Sequence, residues 1–244
     1  MRGRRLQSGV TLIELLVAIL LVSLLTLGIL FAMRIGLNTM GRSNEKFIAN
    51  RRVLGVDRVM HQQFAGFLPV HAECRALPDS PATTVPFFYG EQSMLRFAST
   101  YSLEEGARGY PRILEYLVVP GDAGGGVRLL VNEYPYSGPA SAGASCFGAV
   151  SGEDGIIGRF RPVEVGPKAF VLADRLARCA FAYREMVPQE PFERWRSDWK
   201  SRYFPAGVRI DLEPLEGTGN NNLTMMPVTV TLHITRDPME KYDH

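Results

Sequence analysis

The first 68 residues contain no proline, and all 16 prolines fall between Pro69 and Pro238. Proline breaks a helix by removing a backbone donor and clashing with the preceding turn. Its absence leaves the N-terminal stretch free to form one uninterrupted helix. Cysteine is scarce, at three residues, which excludes a disulfide-dense small domain. An excess of one charge sign is also lacking. Lys and Arg number 27 against 25 Asp and Glu, with no run of five like charges. Composition therefore carries no footprint for nucleic acid or for a polybasic lipid-binding patch. The 244 residues, 46% hydrophobic, suffice for one good-sized core or two small ones.

Catalytic motifs are missing as well. His61, His71, His233 and His244 stand at no metal-ligand spacing with one another or with cysteine. Gly121–Gly126 lacks the lysine and hydroxyl residue of a phosphate loop and reads as a hairpin turn. No GxGxxG, GxSxG or HExxH pattern occurs. Glu153-Asp154-Gly155 reads as a turn rather than a calcium loop, and Asn222-Leu223-Thr224 matches a glycosylation sequon on three residues alone. The expectation is a structural protein, not an enzyme, with no cofactor and no metal.

What the chain does have is an apolar run, Val10 to Met33, with one charge, Glu14, and Arg34 closing it. As a helix this run spans roughly 36 Å, enough for a ~30 Å hydrocarbon core. Arg2, Arg4 and Arg5 precede it, so the positive-inside rule keeps the N-terminus cytoplasmic and sends the rest across. The run is longer than a secretory signal core, and no A-x-A-like cleavage site follows. A carboxylate in lipid costs on the order of 2.5–3.5 kcal/mol at the membrane centre, so Glu14 reads as functional and partnered.

Beyond the run, Ala49, Val53, Val56, Met60, Phe64 and Phe67 recur at spacings of three and four, with Arg51, Arg52, Asp57, Arg58 and Gln62 off the stripe. A helix from about Val10 to about Ala65, roughly 84 Å long, is expected to end at Gly66 and Pro69. The organisation is then 1–9 leader, 10–33 membrane segment, 34–68 the second half of the helix, and 69–244 a β-rich domain.

In that domain, strands are expected at Val85–Tyr89, Met94–Ser99, Ile113–Val119, Val127–Asn132, Ala169–Ala173, Cys179–Arg184, Val208–Leu212 and Pro227–Thr235. A small-residue loop is expected around Ser137–Gly158, and no internal repeat is visible. Cys179 shares a strand face with Phe181 and Tyr183 and reads as a core residue. Cys74 and Cys146 lie in loop-like sequence and are the candidate disulfide, although connectivity does not follow from one sequence.

The junction Ser8-Gly9-Val10-Thr11-Leu12-Ile13-Glu14 behind its basic leader resembles the type IV prepilin signal. The resemblance implies that a prepilin peptidase cuts between Gly9 and Val10 and N-methylates Val10, where that family most often has phenylalanine. Glu14 then becomes the fifth residue of the mature chain. The new amine would be a cation at the end of an apolar helix, and Glu14 of one subunit would neutralise that of its neighbour in a bundle.

The C-terminal third is similar to the J-type minor pseudopilin of the bacterial type II secretion system. The matching residues are Phe181-Ala182-Tyr183-Arg184, Trp195 and Trp199, and Phe204-Pro205-Ala206-Gly207-Val208, with Phe204 in place of the family's leucine. Trp195 and Trp199 are expected to pack in a surface turn. The resemblance implies a pilin-like α+β fold, a long N-terminal α-helix on an antiparallel β-sheet domain. It also implies a single-pass inner-membrane protein with its globular domain in the periplasm. The implied partners are the I- and K-type minor pseudopilins, the major pseudopilin and the prepilin peptidase, with no nucleic acid. A minor type IV pilin of a pilus or DNA-uptake machine is the alternative. A signal-anchored periplasmic enzyme or ligand-binding protein is the alternative of another class, and it expects an intact leader.

Overall fold

The computed structural model describes residues 12–215 and 227–233 apart from 78, 123, 124 and 153; for 36–54 only the backbone is described. The chain divides into two units, Met1–Asn50 and Arg51–His244. The described part of the first is helical, belonging to α1 (Leu12–Ala65). The last turns of α1 belong to the second unit, whose remaining elements are mostly strands.

Nine of those strands form one antiparallel sheet. In chain order they are β1 (Phe67–Leu68), β4 (Tyr89–Gly90), β5 (Met94–Ser102), β6 (Ala107–Pro120), β7 (Val127–Pro135), β10 (Phe170–Met186), β11 (Glu193–Arg196), β12 (Gly207–Pro214) and β13 (Val228–Thr231). Their order across the sheet is β1-β5-β6-β7-β10-β12-β13, with β4 added to β5 and β11 to β10. The remaining strands pair only as hairpins: β2 (His71–Cys74) with β3 (Thr83–Pro86), and β8 (Cys146–Gly152) with β9 (Gly155–Phe160). A short helix α2 (Pro139–Ala142) precedes β8. A long N-terminal apolar helix followed by an antiparallel sheet domain is a pilin-like α+β fold.

Alternation along the strands gives the sheet two buried faces. Leu95 and Phe97 of β5, Leu114 and Tyr116 of β6, Leu129 and Val131 of β7, and Phe181 and Tyr183 of β10 pack in one cluster with Val56, Met60 and Phe64 of α1. The intervening residues Ala98 and Ile113 face the other way, into a second cluster with Val85, Phe87 and Phe160 from the two hairpins. On that back face Arg96, Glu115 and Asn132 sit directly opposite one another across three strands. Arg96 Nε donates to Glu115 Oε1 at 2.7 Å, and Asn132 Nδ2 donates to Glu164 O at 2.7 Å. This buried polar row is tolerated because its charges are paired and hydrogen-bonded.

The structure corrects several expected elements. The strands foreseen at Ala169–Ala173 and Cys179–Arg184 are one, β10, whose polar middle is bulged: Arg175 adopts φ 55°, and the register shifts on both neighbouring strands. The stretch foreseen as Val85–Tyr89 is split between β3 and β4. The foreseen loop around Ser137–Gly158 contains α2, β8 and most of β9, and its glycines permit close packing. A Cβ on Gly158 would meet the Phe160 ring at 2.7 Å and Val85 Cγ2 at 3.0 Å. The last strand starts at Val228 rather than Pro227, and residues 234–235 lie outside the described part.

The tryptophans also depart from expectation. Trp199 is not a surface-turn residue but lies 4% exposed in the main core, its Nε1 donating to Tyr203 O at 2.8 Å. Reciprocal backbone bonds to Gly90 draw it in, at 3.1 and 2.8 Å. Gly90 leaves room for the Tyr183 ring, which lies 2.2 Å from where a Cβ would stand. Trp195 remains half-buried on β11, covered by the Arg209 guanidinium 4.9 Å from its ring.

A pH-sensitive tie secures this corner. Tyr89 Oη donates to Glu91 Oε1 at 2.5 Å, and Lys200 Nζ lies 3.1 Å from the same oxygen. The Tyr89 bond, with help from Lys200 and against partial burial, holds the Glu91 carboxyl below its ordinary 4.5. A carboxyl depressed in the folded state adds stability above its unfolded pKa and loses it as pH falls through the folded value. The denaturation midpoint should therefore fall below about pH 4.5, and Glu91→Gln should fall less steeply over the same range. Parallel curves for the two proteins would remove Glu91 from the acid response.

Candidate assembly site

The apolar part of α1 is the candidate assembly surface. Leu12–Ile35 is one helical stretch long and apolar enough to cross a membrane, and none of its side chains is buried within the chain. Its two hydroxyls are satisfied inside the helix: Ser23 Oγ donates to Ile19 O at 2.8 Å, and Thr26 Oγ1 donates to Val22 O at 2.7 Å. Neither therefore requires a partner in lipid.

Glu14 is different. It lies in the first turn of α1 with an exposed side chain, and it is the one charged residue before Arg34 in this stretch. Backbone bonding cannot neutralise a carboxylate there, which makes Glu14 the candidate assembly residue of this stretch. Gly9 and Val10, the expected cleavage pair, lie outside the described residues.

At its other end α1 is keyed onto the sheet. Val56, Met60 and Phe64 fill the stripe foreseen as core, while the side chains of Ala49 and Val53 lie outside the described part. The key itself is Gln63, fully buried, which the apolar pattern does not reveal. Tyr116 Oη donates to Gln63 Oε1, and Ser99 Oγ donates to Gln63 O at 2.7 Å. These directional bonds fix the rotation of the helix in a way that greasy contacts alone do not.

The chain leaves the helix through Gly66, where Thr100 N donates to Gly66 O at 2.8 Å. A Cβ on Gly66 would stand 2.8 Å from Ser99 Oγ, 2.9 Å from Thr100 Oγ1 and 3.1 Å from Tyr101 N. Gly66→Ala should therefore cost about 1–3 kcal/mol, as overpacking does, read as a lower denaturant midpoint. An unchanged midpoint would show that this exit is looser than described.

Cys74 and Cys146 are joined as a disulfide, with Cα atoms 5.2 Å apart. Cys179 is free and buried in the main core, and its thiol is pushed up to about 12, first by burial and then by Asp211. Of the histidines, His61 is exposed and 3.5 Å from Asp57, and His71 lies on β2. Among the described residues no group of three His, Cys, Asp or Glu is placed to hold a metal ion. The sequon at Asn222 lies outside the described part.

Residues 4–30 match the family model described as the prokaryotic N-terminal methylation motif. No curated protein and no solved structure matches the chain. The chain thus carries a prepilin-type methylation motif at the head of an apolar helix suited to inner-membrane anchoring. Such a motif implies a pilin- or pseudopilin-type structural protein processed by a prepilin peptidase.

Proposed function

We propose that the chain is a minor pseudopilin of a type II secretion system, of the J type. A prepilin peptidase cuts it between Gly9 and Val10 and methylates Val10. It then waits in the inner membrane with its sheet domain in the periplasm. With the I- and K-type minor pseudopilins it forms the tip of a short filament built from the major pseudopilin, and that filament promotes export of folded proteins. The observation that carries this reading is the methylation motif over residues 4–30, followed by one apolar helical span and a pilin-like domain. The J-type assignment rests on Phe181–Arg184, Trp195, Trp199 and Phe204–Val208.

The mechanism is association rather than chemistry on a substrate. Apolar helices bundle by packing in lipid. Glu14 neutralises the amine of a neighbouring Val10, which fixes the axial offset between subunits. Surfaces of the sheet domains then select which subunit sits beside which.

The test is to mix the periplasmic part, residues 34–244, with the matching parts of the I- and K-type chains of the same genome. Light scattering on a sizing column reads the mass. A 1:1:1 complex is expected. Three separate monomers would contradict the tip assignment and favour a minor pilin of a type IV pilus.

A further inference from the structure

The back layer of the domain is built from weak pieces. The β2–β3 and β8–β9 hairpins belong to no larger sheet, and an isolated two-stranded hairpin is marginal in water. They are held by the second apolar cluster, by close approach of Gly143 to the backbone of Glu73, and by the Cys74–Cys146 bond. That bond joins the last residue of β2 to the first of β8 across a sequence separation of 72.

The two cysteines, both buried, are not equally placed. Cys74 is 2% exposed and Cys146 9%. Cys146 also lines an open pocket of about 240 Å³ with Glu73, Arg75, Ala140 and Gly143. Arg75 lines the same pocket, its guanidinium 3.8 Å from Glu73 Oε2. The third thiol, Cys179, is packed on the helix side of the sheet, away from the hairpins.

We propose that the Cys74–Cys146 bond is made and opened through Cys146, by exchange with a thiol–disulfide oxidoreductase, and that its state sets the order of the back layer alone. In the making direction, the Cys146 thiolate attacks one sulfur of the oxidoreductase disulfide. That S–S bond breaks, and the second sulfur leaves as a thiolate that takes up a proton. The Cys74 thiolate then attacks Cys146 Sγ of the mixed disulfide. The oxidoreductase sulfur departs and takes up the second proton. Two electrons pass from the cysteine pair to the oxidoreductase, and opening is the reverse. Nothing in this requires one kind of filament over another.

The test uses the full oxidised chain in detergent, treated briefly with reduced glutathione, quenched with iodoacetamide and mapped by peptide mass. Glutathione should appear on Cys146 and the alkyl group on Cys74, in about tenfold excess over the reverse, because access decides which sulfur is attacked. Cys179 should carry neither. An even split, or glutathione mainly on Cys74, overturns Cys146 as the point of exchange. Hydrogen exchange after reduction with a phosphine tests the second half. Protection should fall in His71–Cys74, Thr83–Pro86 and Cys146–Phe160 and persist in Met94–Ser102 and Gly207–Pro214. Loss across the whole sheet, or no loss at all, overturns an effect confined to the back layer.

Discussion

Glu14→Ala should leave the leader peptide removable and abolish entry into the filament. In the proposed filament two charges have to be tolerated at the head of an apolar helix, the amine left by processing and the Glu14 carboxylate. Under the proposed pairing, removing the carboxylate would strand the amine of the neighbouring subunit. Loss of one partner from such a buried pair costs about 3 kcal/mol, on the order of a hundredfold in an association constant. The expected result is a processed chain in the inner membrane, absent from crosslinked filament species, with secretion lost. Glu14→Gln should behave alike, because the amide fills the space without the charge. Normal incorporation of either variant would mean that Glu14 has no cationic partner in the filament.

Phe97→Ala should be the most damaging single substitution in the sheet domain. Phe97 is fully buried, with ring centroids 4.7 Å from Phe64, 6.0 Å from Tyr116, 6.1 Å from Phe67 and 6.3 Å from Phe88. It is where the helix, the sheet and the β4 corner meet. Truncating such a ring removes its transfer energy and leaves a cavity, about 3–5 kcal/mol in all. Chemical denaturation followed through tryptophan fluorescence measures this, since Trp199 reports on the same core. Tyr134→Ala, at a partly exposed position, should stay within about 0.5 kcal/mol of the parent. If the two variants lost equal stability, the aromatic cluster would not be the centre of the fold.

The helix and its far end were legible because their signals are local. An apolar run with one carboxylate, a proline-free interval and a stripe at three- and four-residue spacing led to an end near Ala65, where α1 stops. Gln63 was not legible. Its burial depends on Tyr116, 53 residues away, and no local pattern reveals a partner at that distance. The β8–β9 hairpin was hidden for a related reason. Gly148, Gly152, Gly155 and Gly158 read as loop composition, yet Gly158 is what lets β9 lie close against Phe160 and Val85.

Strand β10 looked like two strands because Asp174 and Arg175 interrupt its apolar pattern; a bulge absorbs them. Trp199 misled through its charged neighbours Arg196, Asp198 and Lys200. Its bridge to Gly90 outweighs that local polarity. At the assembly site the residue types around Glu14 spoke directly, because a lone carboxylate in an apolar helix has few explanations. The cation proposed to oppose it belongs to another chain, and a single sequence does not encode that pairing.

The central claim is that Val10 becomes a methylated N-terminus, and it can be read directly. The chain is expressed with its own prepilin peptidase, purified from inner membranes, and analysed by intact mass and N-terminal peptide sequencing. The account expects a chain lacking Met1–Gly9, beginning N-methyl-Val10-Thr11-Leu12-Ile13-Glu14, and the full-length chain when the peptidase is deleted. A chain that keeps Met1–Gly9 in the presence of the peptidase, or is cut beyond Met33, would contradict it.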